Sequence, residues 1–245
     1  MKNNKTRNET EIISNIRYHF DHHIRVIEKT LTYTNILTDI SIVVNEIIKC
    51  FNQENIGRVF FFGNGGSAAD SQHLAAEFTN RFSIERNPLP AIALTTDTSA
   101  LTAISNDYSF EEVYSKQLQA LARKGDVVIG ISTSGNSKNV LKALQVSKEI
   151  GCFNVLMGGK VKNAKLLVER NKFIDKHLNV DSTSTARIQE CHILIGHIIC
   201  RMIDTAVKCG EIKGFSEIKK PEKRVIRTTP PKPTKTFQGF TNETF

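Results

Sequence analysis

The sequence predicts an α/β protein built on a parallel sheet, and three observations carry that reading. Short continuous apolar runs, Val59–Gly63, Val127–Ile131 and Phe153–Met157, have the length and the β-branched or aromatic content of buried strands, and they alternate with longer segments of helical period. The first run ends in a glycine-rich turn, Gly63-Asn64-Gly65-Gly66-Ser67, that leads directly into a helix-period segment. After two prolines a further run, Ala91–Leu94, completes a strand–helix–strand order, which implies a parallel pair with a right-handed crossover. At 245 residues, one large α/β domain with appendages is expected.

Two amphipathic segments precede the first strand. Ile12, Ile13, Ile16, Phe20, Ile24 and Ile27 recur at helical spacing over about Glu9–Lys29, and Ile36, Ile40, Val43, Ile47 and Ile48 over about Asn35–Asn52. Such helices either cap the domain's own sheet or face a partner subunit, and periodicity does not separate the two. His19, His22 and His23 lie on the first; without a carboxylate or thiolate cluster nearby they read as surface bystanders rather than metal ligands.

Beyond Ala91–Leu94, the stretch Thr95–Asp107 is rich in Thr, Ser, Asn and Asp and reads as a loop region past the carboxyl end of a strand, where open parallel sheets bind ligands. Phe110–Ala122 is expected to be helical, and another helix should begin near Asn136, after the strand Val127–Ile131. A strand at Phe153–Met157, a short helix at Val161–Glu169 and a last strand within Lys172–Val180 follow. The segment Thr183–Val207 then forms one long helix, with Thr183, Ser184 or Thr185 as its cap. From Gly210 onward Lys, Pro and Thr dominate and four of the six prolines occur, so the fold is expected to end near residue 212. Residues 213–245 then form a basic, disordered tail that is dispensable for assembly.

The net charge of +8 is concentrated in that tail, where residues 206–245 hold nine Lys/Arg against four Asp/Glu. The folded part is nearly neutral and lacks tryptophan, so nucleic-acid binding is not expected. Five cysteines without a Cys-x-x-Cys pair read as buried free thiols in a reducing compartment. The polar start leads into no apolar signal core, and no apolar run is long enough to span a membrane. A soluble, cytoplasmic protein is expected.

The chemistry is expected around the first turn. Gly63, Gly65 and Gly66 tolerate positive φ and let backbone N–H groups approach an anion, while the following helix aims its N-terminal donors at the same point. Ser132, Thr133, Ser134 and Ser137 surround a glycine before another helix and supply more hydroxyls than one cap needs, the composition of a second phosphate cradle. No Walker A pattern is present, and Ala68 stands where a complete G-x-G-x-x-G would have its last glycine. A small phosphorylated ligand is therefore expected rather than NAD. His73 and Glu77, at i and i+4, share one helical face just past the glycine turn. On the last helix, Gln189 shares a face with His192, whereas His197 lies eight residues further, about 12 Å of helix rise away.

G-N-G-G-S, the helix with His73 and Glu77, S-N-D, G-I-S-T-S-G-N-S and A-R-I-Q-E occur in the order found in the phosphoheptose isomerases, and over roughly residues 10 to 209 the chain resembles that family of sugar-isomerase (SIS) proteins. The resemblance implies a three-layer αβα sandwich with a five-stranded parallel, flavodoxin-like sheet and two leading helices, assembled as a homotetramer. It implies interconversion of sedoheptulose 7-phosphate and D-glycero-D-manno-heptose 7-phosphate for lipopolysaccharide, capsule or another heptose-containing glycan. By motif it assigns substrate contacts to Asn64, Gly65, Gly66, Ser67, Glu77, Asn106, Asp107, Ser132, Thr133, Ser134, Ser137 and Gln189. A zinc site would fall on His73, Glu77, Gln189 and His197, and the acid–base pair on Glu77 and His197, so the resemblance selects His197 where simple helix geometry selects His192. Ala186 stands where some relatives have an acidic residue. The alternative is a non-catalytic SIS protein that binds a partner such as a replication initiator; presence of both Glu77 and His197 favours the enzyme.

Overall fold

The computed structural model describes residues 8–161 and 168–218. Five strands, β1 (Val59–Gly63), β2 (Ala91–Ala93), β3 (Val127–Ser132), β4 (Phe153–Gly158) and β5 (Lys176–Asn179), form one sheet in the order β2-β1-β3-β4-β5, every neighbouring pair parallel. Both faces are covered. Val59 and Phe61 of β1 enter one apolar core while Phe60 and Phe62 enter the other, the alternation that a strand buried on both sides requires.

Helices α1 (Glu9–Tyr33), α2 (Ile36–Phe51), α3 (Gly66–Thr79) and the last helix, α7 (Thr185–Lys208), lie on one face; α4 (Thr98–Asp107), α5 (Ser115–Leu121) and α6 (Lys138–Ile150) lie on the other. The two leading helices divide the roles that periodicity left open. α2 buries Ile36, Ile40, Val43, Val44, Ile47, Cys50 and Phe51 against the sheet, whereas α1 leaves Ile12, Ile13, Ile16, Phe20 and Ile24 exposed.

Several local expectations change. The polar stretch Thr95–Asp107 is helical from Thr98: the Asp97 carboxylate accepts from Ala100 N at 2.9 Å as its cap, and Leu101 and Ile104, at i and i+3, pack on the core. The segment Phe110–Ala122 divides into a 3-10 turn, Phe110–Glu112, and α5. Of Lys172–Val180 only Lys176–Asn179 is strand, because Phe173 and Ile174 are drawn into a turn on the Arg170 carbonyl. The helix expected over Val161–Glu169 falls largely outside the described residues, as does the tail from 219.

The expected boundary at 212 is passed by ordered contacts. Ile212 is buried, Phe215 stacks at 6.1 Å between ring centroids on Phe51, and Ile218 N donates to Glu85 O at 2.8 Å. A Lys/Pro-rich composition masked these apolar anchors.

Candidate active site

β1 lies between β2 and β3, so the chain reverses its direction of winding there and the loops after β1 and β3 meet above the carboxyl ends of the strands. Asn64, directly after β1, and Asn139, in the first turn of α6, exchange reciprocal amide hydrogen bonds of 2.9 and 2.8 Å. Tyr114 donates its hydroxyl to Gly63 O at 2.5 Å, and burial pushes that phenol up to about 12, so it remains a donor. Gly65 has φ of +55° with open space around its Cα, which leaves the turn approachable from solvent. Gly66 lies against Gln189: a Cβ there would meet the Gln189 amide nitrogen at 2.6 Å and push that side chain aside. Ser67 is buried against Gly63.

On the second loop the Ser137 hydroxyl makes no cap bond to α6 but sits 2.9 Å from the Ser132 hydroxyl. Ser134 Oγ accepts from Asn136 N at 3.1 Å, and Thr133 O accepts from Gly159 N at 3.1 Å, which ties the loop to the end of β4. Arg170, buried, donates to the Asn136 side chain. Asn106 and Asp107, at the end of α4, are exposed and hydrogen-bond each other at 2.9 Å; among the described residues no hydrogen bond joins them to the rest of the site.

The third component is formed where α3 crosses α7. His73 Nε2 stands 2.8 Å from His197 Nε2 and 3.4 Å from Glu77 Oε1. The helices approach closely because residue 196 is glycine: a Cβ there would strike the buried Leu74 side chain at 2.4 Å. The structure thus brings His197, not His192, to His73 and Glu77. His192 faces the sheet, fully buried, with Nε2 3.2 Å from Gly158 O; a carbonyl only accepts, so Nε2 carries the proton, and burial pushes the pKa down to about 4. Helix spacing from Gln189 was a poor guide, since Gln189 turns to Gly66 and makes no hydrogen bond with the histidines.

His73, Glu77 and His197 offer two imidazole nitrogens and a carboxylate oxygen, all within 4.8 Å of one another, a donor set that fits a divalent ion such as zinc. On the leading helix His23 instead pairs with Glu190 at 2.8 Å. Sequence reasoning missed Asn139, Tyr114 and Arg170, which hold the loops from behind, and Asp70, one turn before His73. Burial raises the Asp70 carboxyl above its usual range, opposed by the nearby His73, and among the described residues its Oδ2 has no hydrogen-bond partner. Of these only Asn139 had a local signal, its place in the first turn after the hydroxyl loop.

Comparison with known proteins identifies the family. The SIS domain family model matches residues 21–155. Phosphoheptose isomerase 2 of Campylobacter jejuni is 48% identical over 203 residues, covering 83% of this chain and 96% of that protein. The solved structure of phosphoheptose isomerase GmhA from Neisseria gonorrhoeae is 40% identical with a TM-score of 0.70, over 79% of this chain and 99% of that one. A phosphoheptose isomerase from Francisella tularensis is 33% identical with a TM-score of 0.71, over 79% of this chain and 98% of that one. A glycine turn and a hydroxyl loop side by side, a His–Glu–His cluster below them and relatives matched over nearly their whole length have one common explanation: the chain belongs to the SIS-domain family and, within it, to the phosphoheptose isomerases.

Proposed function

We propose that this chain isomerises sedoheptulose 7-phosphate to D-glycero-D-manno-heptose 7-phosphate in the cytoplasm, as a step toward a heptose-containing glycan of lipopolysaccharide or capsule. The observation that carries the proposal is the meeting of His73, Glu77 and His197 beside the two loops at the strand ends.

The loops bind and orient. Backbone N–H groups of Gly65 and Gly66 and the hydroxyls of Ser67, Ser132, Thr133, Ser134 and Ser137 receive the phosphate, with Asn64 and Gln189 along the sugar. Asn106 and Asp107 orient hydroxyls where the substrate leaves the loops.

Glu77 removes the C1 proton; the released electron pair forms the C1–C2 double bond, and the C2 carbonyl oxygen takes a proton from His197, giving a cis-enediol. Loss of the O1 proton and return of a proton to C2 complete the aldose. His73, Glu77 and His197 would hold zinc, joined by Gln189 once its amide turns from Gly66; the ion would supply Lewis-acid polarisation of a substrate oxygen, with Glu77 and His197 serving as base and acid through the carboxylate oxygen and ring nitrogen it leaves free.

Assembly as a homotetramer belongs to the same proposal. It is supported by α1, whose Ile13 and Phe20 are 58% and 67% exposed on a face that a partner subunit would cover.

Proton NMR with sedoheptulose 7-phosphate in D₂O, with and without chelator and added zinc, tests the reading. Aldose 7-phosphate carrying deuterium at C2 is expected, with loss of turnover in chelator and recovery on zinc. A folded, zinc-supplied protein that gives neither product nor exchange overturns it.

A further inference from the structure

The carbonyls of the last turn of a helix have no partners within the helix, and α3 has no basic residue in its own last turn to meet them. Arg86, outside the helix, takes that place. Its Nη2 donates to Glu77 O at 2.8 Å and its Nη1 to Phe78 O at 2.9 Å, while its Nε donates to Asp204 Oδ1 of α7 at 2.7 Å. The two side chains are 1% and 2% exposed. The other Asp204 oxygen accepts from Ser83 N at 2.7 Å, Ser83 Oγ at 2.8 Å and Ile84 N at 3.2 Å. One guanidinium therefore grips the backbone of Glu77 with one edge and α7 with another, a division of donors for which a lysine ammonium lacks the planar geometry.

Asp204 follows His197 by seven residues, about two helical turns, so both point from α7 toward α3. The Leu74–Gly196 contact sets how closely the helices approach. The ion pair sets how far one has slid along the other. Arg86 is itself held from behind, since Glu217 forms an antiparallel bridge with it and Asn87 N donates to Ser216 O at 3.3 Å.

We propose that Arg86 and Asp204 are positioning residues of the isomerase: a buried ion pair that fixes where the Glu77 carboxylate stands relative to the His73 and His197 imidazoles. The inference rests on the function proposed above. Removing a single partner strands a buried charge and threatens folding, whereas replacing both with apolar side chains of similar size is often neutral for stability. The test therefore uses the double variant R86M/D204L, with R86K as the conservative companion that keeps the charge and loses the fork.

Turnover of sedoheptulose 7-phosphate, thermal midpoint and the imidazole Hε1 NMR shifts of His73 and His197 are measured on each full-length variant. The expected result for both is kcat lowered about 10- to 100-fold with KM changed by less than about twofold, since misplacement by an ångström costs that much. The two histidine Hε1 shifts should move with kcat. A folded R86M/D204L or R86K with wild-type kcat and unmoved Hε1 shifts overturns the proposal. Should R86M/D204L fail to fold, R86K decides alone. A wild-type chain inactive on this substrate refutes the function instead, and the Hε1 shifts of the folded variants still decide the positioning role: moved shifts support it and unmoved ones refute it.

Discussion

His73 Nε2 and His197 Nε2 stand 2.8 Å apart, joining two helices whose histidines are 124 residues apart in the chain. The rings meet edge to face at 68°, and the Phe82 ring lies 5.3 Å from that of His197. Two imidazole nitrogens at this separation share a proton or face a common cation, and Glu77 supplies the balancing charge in either state.

Glu77 is the proposed base, so Glu77→Gln keeps the shape and removes the basicity. A fall in kcat of about 10²- to 10⁴-fold is expected, with substrate affinity largely intact. Coupled assay of aldose formation, alongside calorimetric binding of the ketose, checks it; unchanged turnover removes Glu77 from the base role.

Gly196 lets α3 and α7 touch, and a methyl at that position would overlap the buried Leu74 side chain. Gly196→Ala is expected to cost about 1–3 kcal/mol of stability by overpacking and to lower kcat as His73 and His197 separate. Thermal denaturation and steady-state kinetics on the same preparation read both effects.

Truncation should separate the segment that packs from the remainder of the tail. Ending the chain after Ile218 keeps the Phe215–Phe51 contact and the bond to Glu85, and is expected to leave the melting temperature and turnover unchanged. Ending it after Ile212 removes both, with an expected loss of about 2 kcal/mol from the half-buried phenylalanine. Equal melting temperatures for the two truncations would return the domain boundary to 212.

His192 makes stability depend on pH. Its pKa is about 4 in the fold against 6.5 ordinarily, so between these values the unfolded chain takes up a proton that the folded chain refuses. This contribution is greatest above pH 6.5 and is lost as the pH falls toward 4, by on the order of 3 kcal/mol in full. Urea denaturation at intervals across that window is expected to show the decline in the wild type and a flatter profile in His192→Gln, which keeps a donor for Gly158 O. Parallel profiles would show that another group is responsible.

Much of this was legible in the sequence because it is local. The strands announce themselves as apolar runs, the glycine turn requires residues without a Cβ, and the hydroxyl loop declares its chemistry within six positions, 132–137. His73 and Glu77 are joined by one helical turn, so spacing alone put them together. The helix at Thr98–Asp107 was hidden because its apolar stripe is only Leu101 and Ile104 among polar neighbours.

The choice between His192 and His197 was not local. α7 carries apolar residues around most of its circumference, with Ile195 and Ile199 buried but Leu194 and Ile198 exposed, so periodicity left its orientation open. The sequence by itself determined which elements form and which chemical groups each one carries. Only the tertiary structure decided which groups of different elements meet, because the Leu74–Gly196 contact and the Arg86–Asp204 pair turn one side of α7 toward α3, and both arise between segments more than a hundred residues apart.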